Sequence, residues 1–179
     1  SMSGDSVLVG PGSYNESINY NGKQIVVMSI DGPENTTIYS SNYNVTMDTQ
    51  EGSGAVLRGF TLYSITSSRG IYLGSYASPT LQDLLIYDTS IAIYMYNQNE
   101  VTLNNVTLSN NETGLFLDNG SDAYLTNCII WHNSGLPIML ESASSDIGIS
   151  NSNIQGGEIN IGGSGDVIWG EGNITDNPL

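Results

Sequence analysis

Leu81-Gln82-Asp83-Leu84-Leu85-Ile86, Leu103-Asn104-Asn105-Val106-Thr107-Leu108 and Leu125-Thr126-Asn127-Cys128-Ile129-Ile130 align residue for residue without a gap. Leu57-Arg58-Gly59-Phe60-Thr61-Leu62 precedes them in the same register, and Ile149-Ser150-Asn151-Ser152-Asn153-Ile154 follows. The leading positions 57, 81, 103, 125 and 149 are spaced 24, 22, 22 and 24 residues apart. A second apolar-x-apolar series runs beside them: Val45/Met47, Ile71/Leu73, Ile93/Met95, Leu115/Leu117, Ile138/Leu140 and Ile159/Ile161. A period in the low twenties marks a stacked repeat, in which no unit buries its apolar face alone. Alternation within each short segment reads as strand, and the Asn, Asp and Gly between segments read as turns. The expected fold is therefore all-β: a right-handed parallel β-helix of about seven coils. Ile71, Leu73, Leu81, Ile93, Leu103, Leu115, Leu125, Ile130 and Leu140 are expected inside.

The composition agrees with a turn-rich β protein and contains no long amphipathic helix. No apolar run reaches the roughly 18 residues that a membrane-spanning helix needs. The opening Ser1-Met2 reads as a vector-derived remnant, and no signal-peptide pattern follows it. The formal charge is -15, and Lys23, Arg58 and Arg69 are the whole basic complement. From residue 70 onward there are twelve acidic residues, with His132 as the one titratable base. Such a surface repels nucleic acid and anionic membrane, and admits a polyanionic glycan only across a divalent cation. Cys128 shares its register with Phe60, Leu84 and Val106, so it reads as a buried apolar residue.

The chain is expected to form one domain over residues 1–179. Entry or capping coils occupy 6–44, regular coils 45–161, and a closing segment 162–179. Val9-Gly10-Pro11-Gly12-Ser13-Tyr14, the Gly22-Lys23 turn, the Gly32-Pro33-Glu34-Asn35-Thr36 turn and the Asn-bearing coils resemble secreted right-handed β-helix proteins of the pectate-lyase-like superfold. The closing Gly172-Asn173-Ile174 and Asn177-Pro178-Leu179 are similar to the ends of such repeats. The resemblance implies the fold and a secreted or cell-surface location. It leaves activity open, because that superfold carries lyases, hydrolases, epimerases, adhesins and plain binding modules. Asp83, Asn105, Asn127 and Asn151 fall at one register position and resemble the internal asparagine ladder of those proteins.

Alternation turns Tyr72, Tyr94, Phe116 and Met139 outward on successive coils about 4.8 Å apart. They form an apolar ribbon along the axis, expected to end at Thr46 and Asn160. Tyr96, Asp118 and Glu141 flank one side; Asp88, Asn110 and His132 lie across the preceding turn. A second outward stripe holds Tyr63, Tyr87 and Trp131, interrupted by Ser109. Flat aromatic groups edged by carboxylates and amides suit sugar rings and their hydroxyls. Cross-strand stacking or a protein contact would also use such a ribbon. The expected function is a non-catalytic extracellular module binding a polysaccharide or surface glycan, with neighbouring domains of a longer chain as further partners. Were it an enzyme, a lyase, epimerase or hydrolase, Asp118, Glu141, His132 and Arg69 would be the candidates. Asp118 and Glu141 share a register and could stand near the spacing of a retaining carboxylate pair. No organic cofactor is expected; Ca²⁺ is the ion that Asp118, Asp122 and Glu141 would hold through hard oxygens. The Asn-x-Ser/Thr sequons at Asn15, Asn35, Asn44, Asn105, Asn111, Asn119 and Asn173 are expected by chance in so Asn-rich a chain.

Overall fold

The structure, a computed structural model, describes residues 1–178; Leu179, the last residue of the expected closing segment, lies outside them. Three columns of short strands wind around one core, and the ladders joining their coils are parallel. The first face stacks Ser6–Val9, Val26–Ser29, Val56–Arg58, the leading halves of Thr80–Tyr87 and Glu100–Ser109, Asp122–Thr126, Ile147–Ser150 and Val167–Trp169. The second face runs from Gly12–Asn15 through Thr36–Ser40, Thr61–Ser64, the trailing halves of the two long strands and Ile129–Trp131 to Asn153–Ile154. The third is a seven-stranded sheet from Ile18–Asn19 through Val45–Met47, Ile71–Leu73, Ile91–Tyr96, Thr113–Asp118 and Ile138–Leu140 to Ile161–Gly163. This is the parallel β-helix of about seven coils that the repeat predicts. Leu81 pairs with Leu57 and Leu103, and Leu103 with Leu125, so the register quoted above is the register of the ladders. The nine expected core residues are all buried.

The corner between the first and second faces depends on one left-handed residue per coil. Gly59, Asp83, Asn105, Asn127, Asn151 and Gly172 have φ of 80°, 53°, 55°, 57°, 49° and 74°. Asn and Asp tolerate this region better than other side chains, and Gly enters it freely. The left-handed step puts two outward residues in succession, so Leu81 points in, Gln82 and Asp83 out, and Leu84 in. This corrects the expected internal ladder: Asn105, Asn127 and Asn151 are exposed, because the corner reverses the alternation that a plain strand would keep. Asn105 Nδ2 donates to Asp83 Oδ1 (3.0 Å), and Arg58 Nε donates to Asp83 Oδ2 (2.9 Å). Asn127 reaches Asn104 at 3.4 Å instead of Asn105, so the row is discontinuous.

The internal ladder sits at the next corner. Asp88, Asn110 and His132 take left-handed φ of 53°, 59° and 57°. The residues after them, Thr89, Asn111 and Asn133, turn inward and are buried. Asn111 Oδ1 accepts Thr89 N–H (3.1 Å) and Thr89 Oγ1–H (2.7 Å). Asn133 Oδ1 accepts Asn111 N–H (3.0 Å) and Nδ2–H (3.1 Å). Each side chain thus satisfies corner amides that have no sheet partner, which buried backbone groups require. At the third corner Asn99, Ser121 and Ser145 are also buried: Ser121 Oγ donates to Asn99 (3.2 Å), and Ser121 N–H donates to Ser145 Oγ (3.1 Å). Glu51 is a fully buried carboxylate, held by Gly22 N–H at 2.8 Å and Thr49 N–H at 2.9 Å.

The last coil departs from the expected Ile159/Ile161 pair. Ile138 pairs with Ile161 and Met139 with Gly162, while Ile159 is 97% exposed. Gly156 and Gly157, with φ of 76° and 72°, and the 3₁₀ turn Glu158–Asn160 consume the intervening residues and delay the strand.

Cys128 lies in the core as its register implies, and burial pushes its thiol pKa up to about 11. The neutral thiol is therefore the folded form. Its stabilisation is complete below the unfolded thiol's pKa of roughly 8.5 and is lost as pH rises through the folded value. Stability should fall between about pH 9 and pH 11, and Cys128→Ala should lose part of that slope in urea titrations. Asn111→Ala should destabilise by about 2–4 kcal/mol, because it leaves several buried groups unpaired. Asn105→Gly, at an exposed left-handed corner, should stay within about 0.5 kcal/mol of the parent. Urea denaturation of both variants compares the two Asn rows directly.

Candidate functional site

The third face carries the aromatic ribbon because its strands keep strict alternation. Tyr72 pairs with Tyr94, Tyr94 with Phe116, and Phe116 with Met139. Tyr72 and Tyr94 rings stand 5.8 Å apart at 17°, and Tyr94 and Phe116 5.4 Å apart at 41°. Tyr43, in the turn before the third face of its coil, extends the row: its ring lies 5.3 Å from Tyr72 at 20°. Tyr96 adds to the other side of Tyr94 at 6.5 Å and 8°. Near-parallel rings at these separations are offset stacks. They lean on one another; Tyr43, Tyr72, Tyr94 and Phe116 are half-buried and Tyr96 is exposed. The ribbon ends at Gly162 instead of the expected Asn160, where a Cβ would overlap Leu136 Cδ1 and lie 3.1 Å from Met139 Sδ. Thr46, in register with Tyr72, lies at the other end.

Arg69 belongs to this row, although it precedes the strand. Its guanidinium carbon lies 4.1 Å from the Tyr94 ring centroid and 6.0 Å from that of Tyr43, and Nη1 donates to Tyr43 Oη at 3.3 Å. Among the described residues the one Lys/Arg–carboxylate ion pair is Arg58–Asp83, so the aromatic faces, not a carboxylate, hold Arg69. Partial burial raises the pKa of Tyr72 and Tyr94; Asp48 adds to the first and Asp118 to the second, while Arg69 opposes both. Both phenols are therefore protonated hydrogen-bond donors at neutral pH.

The polar candidates divide between two margins. Tyr96 pairs with Asp118, and the Leu117–Leu140 pair sets Glu141 on the coil after Asp118. Asp118 Oδ1 accepts Asn119 N–H at 2.7 Å. Behind them Glu100 pairs with Asp122, whose Oδ1 accepts Asp146 N–H at 2.9 Å, so this margin is a vertical carboxylate row. Asn110 and His132 occupy the opposite margin, where Asn110 Nδ2 donates to Asp88 Oδ1 and the His132 ring lies 6.4 Å from Trp131. The strand Thr113–Asp118 lies between the margins, about 17 Å at roughly 3.3 Å per residue. Asp118 and Glu141 therefore face one edge, His132 the other, and Arg69 covers the middle. The four candidate catalytic residues do not meet around one point. Asp118, Asp122 and Glu141 likewise form no centre: among the described residues no three His, Cys, Asp or Glu side chains gather as a metal site.

Concavities also lie off the ribbon. One of about 350 Å³ follows the second corner past Ser64, Asp88, Asn110, Glu112 and His132. A larger one, about 660 Å³, lies at the first corner between Met28, Ile30, Pro33, Arg58, Asp83 and Leu85. The second outward stripe is an offset stack too: Tyr39–Tyr63 at 5.3 Å and 6°, and Tyr63–Tyr87 at 5.5 Å and 15°.

Parallel coils, left-handed Asn corners and buried amide ladders define a solenoid of the β-helix class. The family model for the right-handed beta helix region matches residues 43–178, and the chain belongs to that family. Among curated proteins and solved structures nothing matches it.

Replacing Arg69 tests the arrangement. Arg69→Gln removes the cation that lowers the pKa of Tyr72 and Tyr94, so the late-ionising phenols should titrate at still higher pH by ultraviolet difference spectroscopy. The loss of the cation–π contact should cost roughly 0.5–2 kcal/mol of stability.

Proposed function

We propose that this chain is a non-catalytic, extracellular β-helix module, of the pectate-lyase-like kind, that binds a polysaccharide or surface glycan along the third face. One observation carries the reading: the unbroken row Tyr43–Tyr72–Tyr94–Phe116, running along the axis with hydroxyls of its own and polar margins on both sides. A linear sugar chain laid on it would meet apolar faces and edges at each coil. Tyr96, Asp118 and Glu141 on one margin, and Asn110 and His132 on the other, would meet its hydroxyls, with Met139 closing the row. The separation of the acidic margin from His132 favours binding over a concerted acid–base reaction, which needs its groups within hydrogen-bond reach of one bond. The net charge of -15 favours a neutral glycan, or an acidic one held through Ca²⁺.

A second reading rests on the stacking itself. The rings already cover part of one another's faces, and Arg69 covers Tyr94. Those contacts favour a structural, adhesive or protein-binding module whose aromatic row mainly stiffens the sheet.

A glycan panel screened with and without Ca²⁺ separates the two. Binding to a neutral chain should depend weakly on salt. Tyr94→Ala should weaken that binding by about 1–3 kcal/mol if the ring is a central anchor. The variant should keep its β-rich circular dichroism, since an outward truncation opens no core cavity. A folded Tyr94→Ala chain with unchanged affinity removes the ribbon as the site, and a blank panel leaves the second reading.

A further inference from the structure

The concavity of about 660 Å³ at the first corner is made by one long turn. Arg58 and Thr61 stand three residues apart, and Gln82 and Leu85, then Asn104 and Thr107, keep that interval on the coils that follow. Their ladder partners on the coil before, Met28 and Thr37, stand nine apart, so this corner carries six extra residues. The extra residues rise as a wall over the flush corners at Gly59, Asp83 and Asn105. Hydrogen bonds brace the wall. Thr61 Oγ1 donates to Pro33 C=O at 2.7 Å, Asn35 Nδ2 donates to Asp31 C=O at 3.1 Å, and the Ser29 and Thr36 hydroxyls bond each other at 2.6 Å. Gly59, with φ of 80°, lets the turn sit close: a Cβ there would lie 3.3 Å from Ser29 Cβ. The concavity is thus pre-formed, and its volume falls in the range of about 300–1,000 Å³ usual for small-molecule sites.

Its lining divides by chemistry. Met28, Ile30, Pro33 and Leu85 supply apolar surface, and Ile30 is 60% exposed at the head of the turn. Arg58, Asp83 and Glu34 are the charged members. Arg58 Nε and Asn105 Nδ2 occupy the two oxygens of Asp83. Among the described residues, the terminal nitrogens of Arg58 and the carboxylate of Glu34 carry no hydrogen bond. The site therefore holds open N–H donors on Arg58 and open acceptors on Glu34 beside an apolar wall.

We infer that this concavity binds an uncharged small molecule with an apolar body and an amide-like head, whose oxygen accepts from Arg58 and whose N–H donates to Glu34. Charge selects the neutral form. Arg58 and Asp83 cancel, Glu34 adds a negative charge, and the chain as a whole stands at -15, so an organic anion is disfavoured. An organic cation would bring Arg58 a like charge and no acceptor. The lining comes from the first and second faces, so this site is separate from the aromatic ribbon and its occupancy does not rest on glycan binding there.

Methionine methyl NMR tests this with reporters already in the chain. Met28 lines the concavity, Met139 lies on the ribbon, and Met47 and Met95 lie in the core. The probes are naphthylacetamide, naphthylacetate and naphthylethylamine, which share a ring system and differ in the charge of the head. The amide should shift the Met28 methyl saturably and leave Met139, Met47 and Met95 in place. The acetate and the amine should bind several-fold more weakly. Arg58→Gln should weaken the amide by about tenfold, through loss of one charged hydrogen bond. Ile30→Asp should abolish saturation, and circular dichroism checks that each variant folds, with Ile30→Ser replacing Ile30→Asp if it does not. A Met28 methyl that ignores the amide, a charged probe that binds as tightly, a shift confined to Met139, or unchanged amide affinity in the folded Arg58 or Ile30 variants would each overturn the inference.

Discussion

Every coil must return the chain to the strand it just left, displaced by one ladder spacing. That closure condition governs the rest of the structure. Parallel ladders hold along three faces only if each corner turns by the same amount coil after coil. The left-handed residues at Asp83, Asn105, Asn127 and Asn151, and again at Asp88, Asn110 and His132, supply that turn. Once the corners are set, inward and outward positions follow for every strand. The apolar core, the buried Thr89–Asn111–Asn133 ladder and the outward tyrosines are three consequences of one geometry.

The parts legible in sequence were those that follow from pleat alternation alone. Leu81, Leu103 and Leu125 announced their ladder by spacing, and Tyr72, Tyr94 and Phe116 announced theirs by lying between apolar neighbours. The corners were not legible in the same way. A left-handed residue breaks the alternation, so the shared register that resembles an internal ladder at Asn105 marks an outward corner, while Asn111 at the next corner does the internal bonding. Ile159 misled for a related reason: two glycines and a 3₁₀ turn absorb residues without leaving an apolar signal. Tyr43 and Arg69 lie outside the strands. Their place on the ribbon depends on long side chains reaching back over it, which periodicity does not encode.

The distribution of polar groups separates two tasks. Inside, neutral amides and hydroxyls satisfy corner backbone, and Glu51 is the exception, its two carboxyl oxygens each accepting one backbone N–H. Outside, carboxylates line one margin of the third face, and the single guanidinium on that face is held against aromatic rings. Arg69 thereby keeps a positive centre on a strongly negative molecule without cancelling it against a neighbouring acid. The ribbon is thus amphipathic in its electrostatics as well as its surface chemistry: cation and phenol donors along the middle, acceptors along the edge. Such a surface sets hydrogen-bond donors and acceptors side by side along the axis.

The near-constant coil length also shapes how this molecule can fold. In most β proteins the strands that pair are separated by widely varying stretches of chain, and folding slows as the mean sequence separation of contacts grows. Here each ladder closes a loop of one coil, 22 residues between Leu81 and Leu103 and again between Leu103 and Leu125. The chain-entropy cost of adding a coil is therefore nearly the same at every step, since it grows only as the logarithm of loop length. The first pair of coils must form without a neighbour to cover it, whereas each later coil lands on a finished edge. Folding then becomes a nucleation followed by linear growth, and the well-covered middle coils, rich in long strands and aromatic stacks, are where that growth would start.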